Sequence, residues 1–68
     1  MAERKLANSL KAARAERNLT QAELAKMVGV SRKTINTVEN GVFIPSTVLA
    51  LKLAEALDLK VEDVFRLE

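Results

Sequence analysis

The sequence predicts an all-α fold: a compact bundle of about five short helices, forming one small domain over residues 1–68. Three observations predict it. Ala, Leu, Lys, Glu and Arg dominate the composition, against two glycines and one proline. Apolar residues recur at helical spacing in successive segments. Short polar residues that cap helices stand where those stripes begin, at Thr20, Ser31 and Ser46. Residues that tolerate a left-handed backbone stand where they end, at Asn18, Gly29 and Gly41.

Taken in order, residues 3–17 read as the first helix. Leu6, Leu10 and Ala13 fall at i, i+4 and i+7, with mostly charged residues between. Asn18 supplies the left-handed stop. Thr20-x-x-Glu23 is a capping box, in which hydroxyl and carboxylate each satisfy an orphan backbone donor. Leu24 and Val28, with Ala25 beside them, give the second helix one apolar stripe. Gly29 makes a sharp turn. Ser31 starts a third helix, which turns Ile35 and Val38 inward. Residues 41–45 form a loop, because Pro45 keeps Ile44 out of helical geometry. The run Val42-Phe43-Ile44 is unusually apolar for a loop. It either folds back on the core, with Phe43 as the core residue, or meets another subunit. Ser46 caps a fourth helix over residues 47–57, with Leu49, Leu53, Ala56 and Leu57 inward. Val48 and Leu51 widen its apolar face beyond a third of the circumference. Asp58-Leu59-Lys60 turn the chain, Val61 to Phe65 make one last helical turn, and Arg66-Leu67-Glu68 is a tail.

The third helix leaves Arg32, Lys33, Asn36, Thr37 and Asn40 pointing outward. Arg32, Asn36 and Asn40 form one i, i+4 row, and Lys33 and Thr37 another. This face has no apolar residue and no acid. It is either a solvated helix face or one that enters the major groove of DNA, where Arg or Lys pairs with guanine and Asn with adenine. The charge distribution bears on that choice. Residues 1–40 carry eight Lys and Arg against four Glu, a balance of +4. Residues 41–68 carry three cations against five acids, a balance of −2. The positive half contains the third helix, as expected of a chain that presents one end to phosphates.

Composition excludes several classes. A chain of 68 residues buries only about 60% of its unfolded surface, so the core is marginal. Without cysteine or histidine it has no disulfide and none of the usual structural zinc ligands. Helix packing or dimerisation must supply the stability. No apolar run reaches about 18 residues, and the N-terminus lacks a signal-peptide core, so a soluble cytoplasmic protein is expected. There is no His, Cys or Tyr and no glycine-rich phosphate loop. The one carboxylate cluster, Glu62-Asp63, is adjacent in sequence and diverges on a helix. No enzyme, cofactor, metal site or small-molecule ligand is expected.

Residues 20–40 resemble the helix-turn-helix of the phage-repressor and Cro family of DNA-binding proteins. The matching residues are Leu19-Thr20-Gln21, Glu23-Leu24-Ala25, Val28-Gly29-Val30-Ser31, Ile35 and Val38-Glu39-Asn40-Gly41. Ala25 is small where two helices cross, Gly29 makes the turn, and Ile35 and Val38 anchor the third helix. The pattern continues from about Leu10 to Phe65, which implies a lambda-repressor-like fold. The resemblance further implies that Arg14 pairs with Glu39. Periodicity places Glu39 on the side of Ile35, where a carboxylate needs a cation. It implies that Gln21 lies on a phosphate, at a helix start whose free N–H groups and dipole favour an anion. Asn40 matches a position that meets the sugar-phosphate backbone. The chain departs from the family at Ala13, usually a larger aliphatic, and at Val42 and Ile44, usually basic and polar. Some short members pair through the C-terminal end, which brings in Leu67.

The function expected is therefore sequence-specific binding of double-stranded DNA by a transcriptional regulator, a homodimeric repressor of a palindromic operator. Arg32, Lys33 and Thr37 would face base edges, with Ser31 and Asn36 beside them. Gln21, Asn40, Lys26 and Arg17 would sit on phosphates. One short helix reads too few base pairs to select a genomic site, which argues for two copies about one DNA turn apart. Val42, Ile44, Val48, Leu51 and Leu67 supply the candidate dimer interface. Two alternatives are an antitoxin-type partner repressing its own operon, and a protein-interaction module that keeps the fold without binding DNA.

Overall fold

The computed structural model describes residues 3–68. In order they form strand β1 (Leu6–Asn8) and helices α1 (Leu10–Glu16), α2 (Gln21–Val28), α3 (Arg32–Glu39), α4 (Thr47–Ala56) and α5 (Val61–Val64). Strand β2 (Phe65–Leu67) closes the order. Five helices match the expected bundle, but a two-stranded antiparallel sheet is added to it.

That sheet corrects two expectations. The first helix starts at Leu10, not near residue 3, and Arg66-Leu67-Glu68 is no free tail. Leu6 pairs with Leu67, Ala7 with Arg66 and Asn8 with Phe65. The physical reason lies in Asn8 and Ser9, which interrupt what looked like one stripe. Asn8 Oδ1 accepts from the Leu10 N–H at 3.1 Å, so its side chain does the capping that Ser9 does not. Its Nδ2 donates to the Val38 carbonyl at 3.0 Å, tying this junction to α3. Arg4 donates to the carbonyls of Glu68 and Leu67, and Arg66 to Ser9 Oγ. Leu6 still packs on the core, but from a strand.

Local chemistry sets the helix ends. Thr20 and Glu23 form the reciprocal capping box. Ser31 and Ser46 accept from the N–H groups of Thr34 and Leu49. Four helices end in the same way: one residue at positive φ, then an N–H donating five residues back. The left-handed residues are Asn18, Gly29, Gly41 and Asp58. The closing bonds run Leu19 to Arg14, Val30 to Ala25, Val42 to Thr37 and Leu59 to Ala54, at 2.9–3.1 Å.

The core gathers Leu10 and Ala13 of α1, Leu24, Ala25 and Val28 of α2, and Ile35 and Val38 of α3. Leu49, Leu53 and Ala54 of α4 and Leu57 just after it close the core, with Val64 and Phe65 beneath. In α4 it is Ala54 that is buried, while the expected Ala56 is half-buried. Phe43 is not a core residue: it is 47% exposed, with Val42 and Ile44 more so. The N–H groups of Val42 and Phe43 both donate to the Thr37 carbonyl, and this holds the loop as an outward cap on α3. No helix among the described residues is long and apolar enough to cross a membrane.

Candidate nucleic-acid interface

The site is built on α3, which rides on two aliphatic anchors. Ile35 and Val38 are fully buried against α2 and the core. The turn at Gly29 and the cap at Ser31 fix where α3 begins. With one side anchored, the helix must show the other side. Ser31, Arg32, Lys33, Asn36 and Asn40 are exposed there, and Thr37 is half-buried. Among the described residues neither Arg32 nor Lys33 has a carboxylate within ion-pair distance. Both cations sit at the start of α3, where the helix dipole also favours anions. The surface is thus unneutralised at the point where a polyanion would be met.

Beneath this face lies a largely buried ion pair. Arg14 Nε meets Glu39 Oε2 at 2.8 Å, and Glu39's side chain is only 2% exposed. Arg14 Nη2 also donates to Glu39 Oε1, and Nη1 to the Leu19 carbonyl at 2.7 Å. The pair therefore binds α1, α3 and the α1–α2 connection together.

Gln21 connects the pair to the face. Its Nε2 donates to Glu39 Oε1 at 3.1 Å and to Asn36 Oδ1 at 3.2 Å. Its Oε1 accepts from Arg32 Nη1 at 3.3 Å. Asn40 Nδ2 donates to the same Asn36 oxygen at 3.3 Å. A carbonyl oxygen has two lone pairs, so Asn36 has both occupied and offers its amide N–H groups outward. Thr37 is turned inward chemically, its one hydroxyl hydrogen shared between the carbonyls of Lys33 and Thr34. Its methyl group and the acceptor lone pairs of its hydroxyl oxygen stay uncommitted.

The two remaining cations differ. Lys26 is exposed on α2 and has no ion-pair partner among the described residues. Arg17 is occupied: Nε donates to the Leu57 carbonyl at 2.7 Å and Nη1 to the Ala13 carbonyl. It ties the end of α4 to α1, a fold-holding use that its position in the sequence did not show. The Gln21 network was equally invisible, since it depends on how α2 crosses α3. The Asn8–Val38 link had one local signal, the helix-interrupting pair Asn8-Ser9. Val42, Ile44, Val48, Leu51 and Leu67 are all more than half exposed. Ile44 lines one surface depression with Arg4, Leu6 and Asn40, so the loop and the sheet adjoin.

Comparison with known proteins agrees with this geometry. A model of the helix-turn-helix family matches residues 10–64. An HTH-type transcriptional regulator of Methanocaldococcus jannaschii is 52% identical over 58 residues, spanning 85% of this chain and 88% of that protein. The P22 c2 repressor, solved in complex with a synthetic operator, superposes with a TM-score of 0.75 at 34% identity. That match covers 78% of this chain and 80% of the repressor chain. The restriction-modification controller protein C.AhdI of Aeromonas hydrophila gives a TM-score of 0.76 at 37% identity, covering 79% and 78%.

Proposed function

The chain belongs to the helix-turn-helix family, and from that premise we propose that it is a homodimeric repressor reading a palindromic operator through the major groove. That it is a DNA-binding transcriptional regulator and not an enzyme follows from its relatives. The observation that carries the finer reading is the exposed, acid-free side of α3, with Arg32 and Lys33 unpaired among the described residues. Arg32, Lys33, Asn36 and Thr37, with Ser31, meet base edges. The start of α2 at Gln21, together with Asn40 and Lys26, meets phosphates. Arg17 is left out of that set because its guanidinium holds α4 to α1. The homodimer is supported by the apolar surface from Val42 to Leu51 and by Leu67, large side chains that a monomer leaves in water. Two copies related by a two-fold axis would set their reading helices about 34 Å apart.

Selection of duplexes from a randomised pool tests this, because it reads half-site, symmetry and spacing together. Arg32→Ala should relax base preference at one position of each half-site, costing about 1–3 kcal/mol there. Lys26→Ala should weaken binding to all sequences alike and reduce the salt dependence by about one counterion. Uniform loss in both variants, or recovery of no preferred sequence, would refute base reading by α3. Sedimentation at micromolar concentration should show a dimer, and Ile44→Asp with Leu67→Asp should shift it to monomer.

A further inference from the structure

We infer that the buried Glu39 is a positioning residue for DNA recognition, acting through the Gln21 side chain to orient Arg32 and Asn36. The inference deepens the proposed reading by α3 and rests on it. It starts from the chemistry of one amide. Glu39 Oε1 lies 3.1 Å from Gln21 Nε2. A carboxylate accepts and cannot donate, so only the amide's N–H side can face it. That choice fixes the other end of the amide. The oxygen must point away from Glu39, and there it takes Arg32 Nη1 at 3.3 Å. The remaining N–H engages Asn36 Oδ1, which Asn40 also engages. A largely buried charge beneath α3 thus sets the sense of the hydrogen-bond chain above it.

Two consequences follow for recognition. Arg32 is held at one guanidinium nitrogen, leaving its other donors for a purine edge. Asn36 keeps its N–H groups free but has no free oxygen lone pair. It therefore reads a base that shows an acceptor, such as purine N7, guanine O6 or thymine O4, and not the bidentate adenine pattern, which also needs an acceptor on the amide. If Glu39 becomes unable to choose the amide's sense, Gln21 can turn over. Arg32 then loses its acceptor, Asn36 regains its oxygen, and both positions of the half-site lose definition.

The test separates position from stability. Arg14→Met with Glu39→Leu replaces the ion pair by apolar groups of similar size, a change that buried pairs commonly tolerate. Gln21→Met removes the half-buried link, including its bond to Glu39, and leaves the Arg14–Glu39 pair in place. The probes are the preferred duplex that the wild type recovers from a randomised pool, and single-base variants of it at each position. Both variants should melt as folded proteins. In both, discrimination at the positions read by Arg32 and Asn36 should fall about tenfold, with other positions unchanged. Adding Arg32→Ala to Gln21→Met should cost little further discrimination, since Arg32 is already unplaced. Wild-type discrimination in either folded variant, or full additivity of Gln21→Met and Arg32→Ala, overturns the positioning role alone. If Arg32→Ala by itself leaves base preference intact, the reading by α3 fails and this inference falls with it.

Discussion

Replacing Arg14 with alanine removes three hydrogen bonds and one charge. Two bonds go to Glu39, at 2.8 and 3.4 Å, and one goes to the Leu19 carbonyl at 2.7 Å. What remains is a carboxylate 2% exposed to solvent, with the Gln21 amide as its one neutral side-chain donor among the described residues. Stranding a buried charge in this way costs about 3–5 kcal/mol. A chain of this length holds roughly 3–10 kcal/mol in total, at about 0.05–0.15 kcal/mol per residue. In small proteins each kcal/mol moves the melting temperature by about 4–8 °C. The expected fall in Tm is therefore on the order of 12–40 °C, enough to unfold much of the protein at ambient temperature. A thermal melt followed by circular dichroism reads it. A sharper check adds Glu39→Leu to Arg14→Ala. Removing the stranded charge should return part of the lost stability, even though more of the native side chains are gone. A single variant that melts within two degrees of wild type would refute the reasoning. So would a double variant less stable than the single one.

Other outcomes follow from the same geometry. The Thr20 backbone N–H, and after it the Thr20 side chain, hold the Glu23 carboxyl below its ordinary value of 4.5. Wild type should therefore exceed Glu23→Gln in stability by a margin fully present above about pH 4.5 and lost as the pH falls through the lowered folded value. Melts of the two proteins across pH 3–7 measure it. Gly29→Ala meets no atom within 4 Å of the new Cβ, so its cost is backbone alone, about 1–2 kcal/mol by urea denaturation. Asn8→Ala removes both the cap on Leu10 and the link to Val38, and should cost about 1–2 kcal/mol in the same assay.

What could be read from the sequence was what is local. Thr20 with Glu23, Gly29, Ser31 and Ser46 act within a few residues of themselves, and the helices begin and end on them. The exposed side of α3 was legible for the same reason, since burying Ile35 and Val38 dictates what is left outside. The sheet was not legible, because β1 finds its partner on the far side of five intervening helices. Leu6, Leu10 and Ala13 mimic one helical stripe, and nothing in periodicity separates a strand residue that packs on the core from a helical one. Phe43 misled because an aromatic in a short chain is expected inside, whereas two backbone bonds to Thr37 direct this loop outward. The Gln21 chain from Glu39 to Arg32 depends on a helix crossing, which pairs residues 11 and 18 positions apart. Arg17 reads as one more surface cation until α4 brings a carbonyl to it.

The pairing of Leu6 with Leu67 also sets an order of events during synthesis. The ribosome releases β1 first, and β1 must then wait until all five helices have been made before β2 arrives. Through that interval its hydrogen-bonding edge and the Leu6 side chain lack their native neighbours, an invitation to wrong pairing with other nascent chains. Closure comes only when residue 67 clears the exit tunnel. A product that stops short of β2 cannot form the clasp at all.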